Sequence, residues 1–242
     1  LVKRAVILGA SGGIGRAIGR KLAASGWSLF LHYHKNEAAA LALQTELQAD
    51  YPDSDFTLVN ADLSKGEGAE ILSRQVGHVQ AVVVSSGHTV MKLLTDTSTE
   101  DMDALWNVHV RNPAAIVSLL SPQLRSHTIS YVVFIGSIWG NTGAAGEVMY
   151  SAVKGAQHAF VKAYAKEAAY SGIRVNAIAP GWVETDMNSV LSEEERHMVI
   201  EQIPLRQTGT PEQVAELTDF LISGKADYMT GEIVKINGGW YI

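Results

Sequence analysis

The 242-residue chain contains no cysteine. Disulfides, thiolate-held zinc and cysteine nucleophiles are therefore excluded, and a disulfide-stapled secreted framework with them. Cationic excess is also missing, because 19 Lys+Arg stand against 25 Asp+Glu for a formal net charge of -6. That balance argues against grip on a phosphate backbone, so no nucleic acid partner is expected. No apolar run approaches the ~20 residues of a bilayer span, and no membrane association is expected. Leu1-Val2-Lys3-Arg4 runs into a strand pattern without a signal-peptide layout, and the missing initiator Met suggests trimming or a tag junction. A cytoplasmic location is expected. The eight histidines form no ligand motif with carboxylates, so no metal is expected.

Hydrophobic residues make up 47% of the chain and charged residues 18%, with no low-complexity tract, which describes a chain that folds compactly. Short apolar runs recur at Arg4–Leu8, Ser28–Tyr33, Asp55–Asn60, Val79–Ser85, Ile129–Ser137, Arg174–Ala179 and Ile233–Ile236. Between most of them lie stretches of helical periodicity, including Ile14, Ile18 and Leu22, and an expected stripe of Leu41, Leu43 and Leu47. Continuous runs such as Ala81-Val82-Val83-Val84 suit strands buried on both faces of a parallel sheet. No linker or composition shift interrupts the series. The expectation is an α/β fold: a single doubly wound Rossmann-like domain over 1–242, with a mostly parallel seven-stranded sheet and helices on both faces.

After the first strand comes Gly9-Ala10-Ser11-Gly12-Gly13-Ile14-Gly15, which opens a helical pattern. Glycines there permit a tight turn and close backbone approach to a pyrophosphate, which the helix N-terminus attracts. An acid at the end of the second strand would bind the ribose 2′-hydroxyl of NAD. Instead the strand ends His32-Tyr33-His34-Lys35, without a carboxylate. NADP(H) is therefore expected, with His34 and Lys35 at the 2′-phosphate and His32 also on the cofactor side. Asp62-Leu63, after the third strand, is placed to reach the adenine, or alternatively to cap the next helix.

Ser137 ends an apolar strand at its carboxyl end, the edge where ligands bind in open α/β sheets. Tyr150 and Lys154 lie four apart on a segment of helical composition and so share one face. A Lys ammonium near a phenol favours the phenolate, lowering a pKa of ~10 toward the range for proton transfer. Ser137 would donate to the same substrate oxygen.

With these residues the sequence resembles the short-chain dehydrogenase/reductase family over nearly its whole length. The likeness rests on Gly9, Gly13 and Gly15; Asp62; Ser137, Tyr150 and Lys154; Asn176-Ala177-Ile178-Ala179-Pro180-Gly181; and Asn237-Gly238-Gly239. It implies a ketoreductase, usually a homotetramer, in which Tyr150 donates the proton, Lys154 also holds the nicotinamide ribose and Ser137 orients the carbonyl. Pro180-Gly181-Trp182-Val183-Glu184-Thr185 resembles the family's nicotinamide clamp, with Thr185 and the Val183 backbone on the carboxamide. Ser11, Gly12, Ile14, Leu63, Ser86 and Gly87 are the further cofactor-side positions.

Three departures stand out. Leu8 replaces the usual Thr before Gly9, and Val84-Ser85-Ser86-Gly87 replaces Asn-Asn-Ala-Gly, an exchange of polar for apolar on both sides that leaves no orphaned donor. His109 stands where the family's catalytic Asn is expected, as a water-relay residue or as a packed helix residue. The broad likeness is to 3-oxoacyl-acyl-carrier-protein reductases, implying a carrier-bound acyl substrate. Leu31-His32-Tyr33-His34, Ser137-Ile138-Trp139-Gly140 and Gly146-Glu147-Val148-Met149-Tyr150 look more narrowly like reductases of the 5-aminopentanone group on a lysine of elongation factor P. There Glu147 and Trp139 would hold a substrate ammonium, unless Glu147 faces solvent. A non-catalytic dinucleotide sensor is the alternative of another class. Asn188–Gln202 is expected to form a helical lid.

Overall fold

The computed structural model describes residues 3–185 and 192–242. Seven strands, β1 (Arg4–Leu8), β2 (Ser28–Tyr33), β3 (Phe56–Asn60), β4 (Ala81–Val84), β5 (Ser130–Ile135), β6 (Ile173–Pro180) and β7 (Ile233–Ile236), form one sheet in the order β3-β2-β1-β4-β5-β6-β7. Every pairing is parallel. The strand order reverses between β1 and β4, and the crevice at such a switch point is where ligands bind.

The helices are α1 (Gly13–Ala24), α2 (Glu37–Asp50), α3 (Gly68–Gln75), α4 (Thr99–Trp106), α5 (Asn112–Leu124), α6 (Trp139–Thr142), α7 (Val148–Ala168), α8 (Glu193–Gln202) and α9 (Pro211–Ile222). They cover both faces of the sheet, which explains why β4 and β5 are buried at every position. One core gathers Ile18, Leu22, Leu43 and Leu221 under α1, α2 and α9; the other gathers Leu72, Ile116, Leu120 and Val161 under α3, α5 and α7. Each such side chain contributes about 1.5–3 kcal/mol by leaving water.

The expected stripe on α2 is shifted by one position. Ala40, Leu43 and Leu47 are buried and Leu41 is exposed, because 3.6 residues per turn put 40, 43 and 47 on one face. Strand ends also retreat from the apolar runs: β5 stops at Ile135, so Ser137 lies two residues beyond the strand. Leu8 and Val84 are direct partners in the β1–β4 register, both buried in the second core. The polar fastening there comes from Ser85 instead, whose backbone N–H and hydroxyl both donate to the Leu8 carbonyl, at 3.0 and 2.8 Å.

Candidate functional site

Four strand ends converge on one cavity of about 270 Å³ at the carboxyl edge of the sheet. The phosphate loop reaches it from β1, Ser85–Gly87 from β4, Ser137 from β5 and Pro180–Thr185 from β6. Of the residues predicted from sequence, Gly12, Gly13, Ile14, Gly15, Ser86, Gly87, His109, Ser137, Trp139, Glu147, Tyr150, Lys154, Pro180, Gly181, Val183 and Thr185 all line it. His34, Lys35, Asp62 and Leu63 lie outside this lining, beyond the ends of β2 and β3. Gly9 and Ser11 also lie outside it, in the connection between β1 and α1.

The loop is shaped by backbone contact. Gly9 has φ +82°, and a Cβ there would lie 2.7 Å from the Ser86 Cα; a Cβ on Gly15 would lie 2.1 Å from the Gly9 carbonyl oxygen. Both positions admit only glycine. The first-turn amides of α1 point to the cavity with no acidic side chain in that turn, which suits an anion. A Cβ on Gly13 would lie 3.2 Å from Thr185, so loop and clamp face each other closely. Bare backbone, free amides and a facing clamp fit the pyrophosphate and nicotinamide ends of a dinucleotide.

His32 is a correction. It is buried between the loop and β3, where its Nδ1 accepts from the Gly9 N–H at 3.0 Å and its Nε2 lies 3.0 Å from the Ala61 carbonyl oxygen. Both contacts are satisfied only by the neutral Nε2–H tautomer, and burial holds its pKa down to about 4. It is an internal brace rather than a cofactor contact. Its neighbour two residues on is exposed: His34 stands 3.5 Å from the Asp62 carboxylate, beside exposed Lys35. The Leu63 side chain is packed in the second core, which leaves only its main chain to meet a ligand.

α7 carries Tyr150 and Lys154 on one face. The Tyr150 and Ser137 side chains both line the cavity, where Ser137 favours the ionised phenol, and Lys154 Nζ lies 5.5 Å from the Tyr150 ring centroid while donating to the Ile135 carbonyl at 2.9 Å. Here the structure reverses an expectation. Burial first, and the Glu147 carboxylate second, push the phenol above its ordinary range, while burial pulls the Lys154 ammonium down to about 7. Desolvation outweighs a lysine charge aimed at a carbonyl. At neutral pH the phenol is therefore protonated, the state a proton donor needs.

His109 sits in a π turn, Asn107–Arg111, that joins α4 to α5. Its ring is fully buried, edge-on to Tyr150 at 5.5 Å, with Nε2 2.8 Å from the His88 carbonyl oxygen. Its own carbonyl accepts from Gln157 Nε2 at 2.7 Å. Burial, with the Lys154 charge second, keeps the imidazole neutral.

Glu147 precedes α7 and lines the cavity, where it accepts a hydrogen bond from the Thr89 hydroxyl. Sequence reasoning missed Thr89, Met91 and Trp240, which also line the cavity with Trp182 of the clamp. Trp240 packs against Trp139 at 5.2 Å, and Gly238 and Gly239, both at positive φ, turn the chain toward it. The Asn237-Gly238-Gly239 motif was the available signal for that turn. Of the expected lid, α8 covers Glu193–Gln202, with Arg196 paired to Glu184 beside the clamp. Residues 188–191 of that expectation lie outside the described residues.

Residues 9–241 match the family model described as enoyl-(acyl carrier protein) reductase. The chain is 41% identical over 240 residues to the uncharacterized oxidoreductase YmfI of Bacillus subtilis, covering 99% of each. It is 34% identical over 243 residues to the 3-oxoacyl-[acyl-carrier-protein] reductase FabG of Aquifex aeolicus, covering 99% of this chain and 97% of that one. Among solved structures, the NADP-bound 3-oxoacyl (acyl-carrier-protein) reductase of Agrobacterium tumefaciens superposes with TM-score 0.91 at 25% identity, over 98% of this chain and 93% of that one.

Proposed function

Because the chain belongs to the short-chain dehydrogenase/reductase family, we propose that this oxidoreductase is an NADPH-dependent ketoreductase that turns a ketone into a secondary alcohol, in the manner of the 3-oxoacyl-acyl-carrier-protein reductases. The observation that carries the reading is the convergence of Ser137, Tyr150 and Lys154 on the cavity that the glycine loop opens into. A dinucleotide sensor needs none of those three side chains. The dinucleotide, when bound, supplies the hydride. Gly12–Gly15 would hold its pyrophosphate, Ser86 and Gly87 its nicotinamide-side ribose with Lys154, and the Val183 backbone and Thr185 its carboxamide.

Tyr150, protonated at neutral pH, gives its proton to the forming alkoxide, and Ser137 donates a hydrogen bond to the same oxygen. Lys154 favours the phenolate left behind. His109, with Nε2 engaged by His88, holds the Tyr150 ring edge-on and acts as a positioning residue. Oxidation of NADPH by an acetoacetyl thioester or an aminopentanone-bearing protein tests the reading; cofactor binding without turnover of either would favour the sensor.

His34 and Lys35 are assigned to the 2′-phosphate, with Asp62 at the adenine. NADPH is expected to bind at least about tenfold tighter than NADH, and His34→Ala with Lys35→Ala to erase most of that difference. Titration of both nucleotides by fluorescence checks it, and equal wild-type affinities would refute it.

A second reading is favoured by Glu147. A carboxylate lining the same cavity as the Trp139 indole suits an amino ketone better than a plain acyl chain. On that reading Glu147→Gln raises KM about tenfold or more for an amino ketone and leaves a neutral 3-oxo thioester unaffected. Equal effects on both substrates would sink it. We further infer a homotetramer from the half-exposed Trp106 and Leu119 on α4 and α5, with light scattering at four chain masses as its check.

A further inference from the structure

On either side of β2 a strand ends and the chain turns away, leaving a main-chain group beyond the ladder: the Gly9 N–H after β1 and the Ala61 carbonyl after β3. Buried groups of this kind must be paired. The His32 ring takes both, Nδ1 accepting from Gly9 at 3.0 Å and Nε2–H donating to Ala61 at 3.0 Å. A neutral imidazole suits the task, because one rigid ring carries an acceptor nitrogen and a donor nitrogen. The main chain runs the same way: the His32 carbonyl accepts from the Ala10 N–H at 2.8 Å, and the Ala61 N–H donates to the Tyr33 carbonyl at 3.3 Å.

Each end of this link leads to a surface assigned to the cofactor. The Gly9 carbonyl accepts from the Gly12 N–H at 3.1 Å, and the Gly12 carbonyl accepts from Arg16 at 2.8 Å as α1 begins. Gly15 lies against the Gly9 carbonyl, with no room for a Cβ between them. A shift of Gly9 therefore moves Gly12, Gly15 and the first-turn amides of α1 together. At the other end Ala61 leads into Asp62, whose carboxylate is fixed by the Ser64 N–H and hydroxyl at 2.9 and 2.6 Å. A dinucleotide with its pyrophosphate on the loop and its adenine at Asp62 spans the two points that His32 ties.

We propose that His32 is a positioning residue for the adenosine half of the dinucleotide. It fixes the phosphate loop against the end of β3 before the cofactor arrives, and so sets cofactor affinity without touching the cofactor. A histidine that supported only the fold would behave differently when its two hydrogen bonds are cut one at a time. Asparagine sets an acceptor oxygen where Nδ1 stands and is too short to reach Ala61. Glutamine sets its amide nitrogen near Nε2 and leaves Gly9 without an acceptor. Each variant loses one bond, and only the glutamine releases the loop.

This inference rests on the dinucleotide assignment of the glycine loop and not on which ketone is reduced, so its readout is binding without substrate. In fluorescence titrations His32→Gln should raise the Kd for NADPH about tenfold or more, while His32→Asn stays within about threefold of wild type. Calorimetry with 2′-phospho-ADP, the adenosine half alone, should give the same order. A measurement on the wild type needs no variant to fold: in the cofactor-free protein the Gly9 amide should already be strongly protected from hydrogen exchange. Equal NADPH affinities for the two variants, weakened NADPH binding with 2′-phospho-ADP unaffected, or a rapidly exchanging Gly9 amide would each overturn the proposal while wild-type binding stands. A wild type that does not bind NADPH would overturn the dinucleotide assignment, and this inference with it.

Discussion

Replacement of Tyr150 by Phe is expected to lower kcat about a thousandfold or more, with NADPH affinity nearly unchanged. The substitution removes one oxygen from a residue that lines the cavity together with Ser137. The ring, its edge contact with His109 and the α7 backbone remain, so neither the fold nor the cofactor cradle loses a support. What disappears is the proton donor, and water cannot replace it at a site lined by Trp139, Trp182 and Trp240. Steady-state kinetics and a parallel NADPH titration check the split. A Phe variant within tenfold of wild type would remove Tyr150 from the donor role.

Lys154→Met is expected to lower kcat about a hundredfold or more and, at the same time, to stabilise the protein below neutral pH. The two effects have one cause. Lys154 is buried, with one carbonyl as its hydrogen-bond partner, and burial holds its pKa at about 7 against 10.5 for the free amine. Between about 7 and 10.5 the unfolded chain binds a proton that the folded chain does not, so the lysine contribution to stability improves as pH rises through that window. Below about 7 the cost of the buried ammonium is fully present. The Met variant should therefore melt higher than wild type at pH about 6, with the margin narrowing by about 9. For wild type, kcat/KM for reduction should fall as pH rises through about 7, because the ammonium is lost while the Tyr150 phenol stays protonated. Thermal melts and pH profiles of the two proteins test both halves.

Much of this site was legible before any coordinates, because its parts are local. A glycine loop between strand and helix, or Tyr150 and Lys154 one turn apart, is written in consecutive residues, and the continuous Val runs of β4 and β5 already imply a sheet covered on both faces. What stayed hidden depends on contacts between distant segments. Trp240 meets Trp139 only because the C-terminal turn folds back, and Thr89 meets Glu147 across 58 residues of chain. His32 looked like a ligand-side residue at a strand end, yet alternation along β2 turns it inward to brace Gly9. The phenol shift was misjudged for a similar reason: spacing puts Lys154 near Tyr150, but only packing says that the ammonium is aimed at Ile135 and that desolvation dominates.

The most direct test of the account follows a label. With NADPH carrying deuterium on the transferring face of its nicotinamide C4, and a 3-oxo thioester and an amino ketone as substrates, the account predicts an alcohol deuterated at the carbinol carbon. That product should form with wild type and vanish with Tyr150→Phe. Tight NADPH binding with no deuterium transferred to either ketone would contradict the central claim.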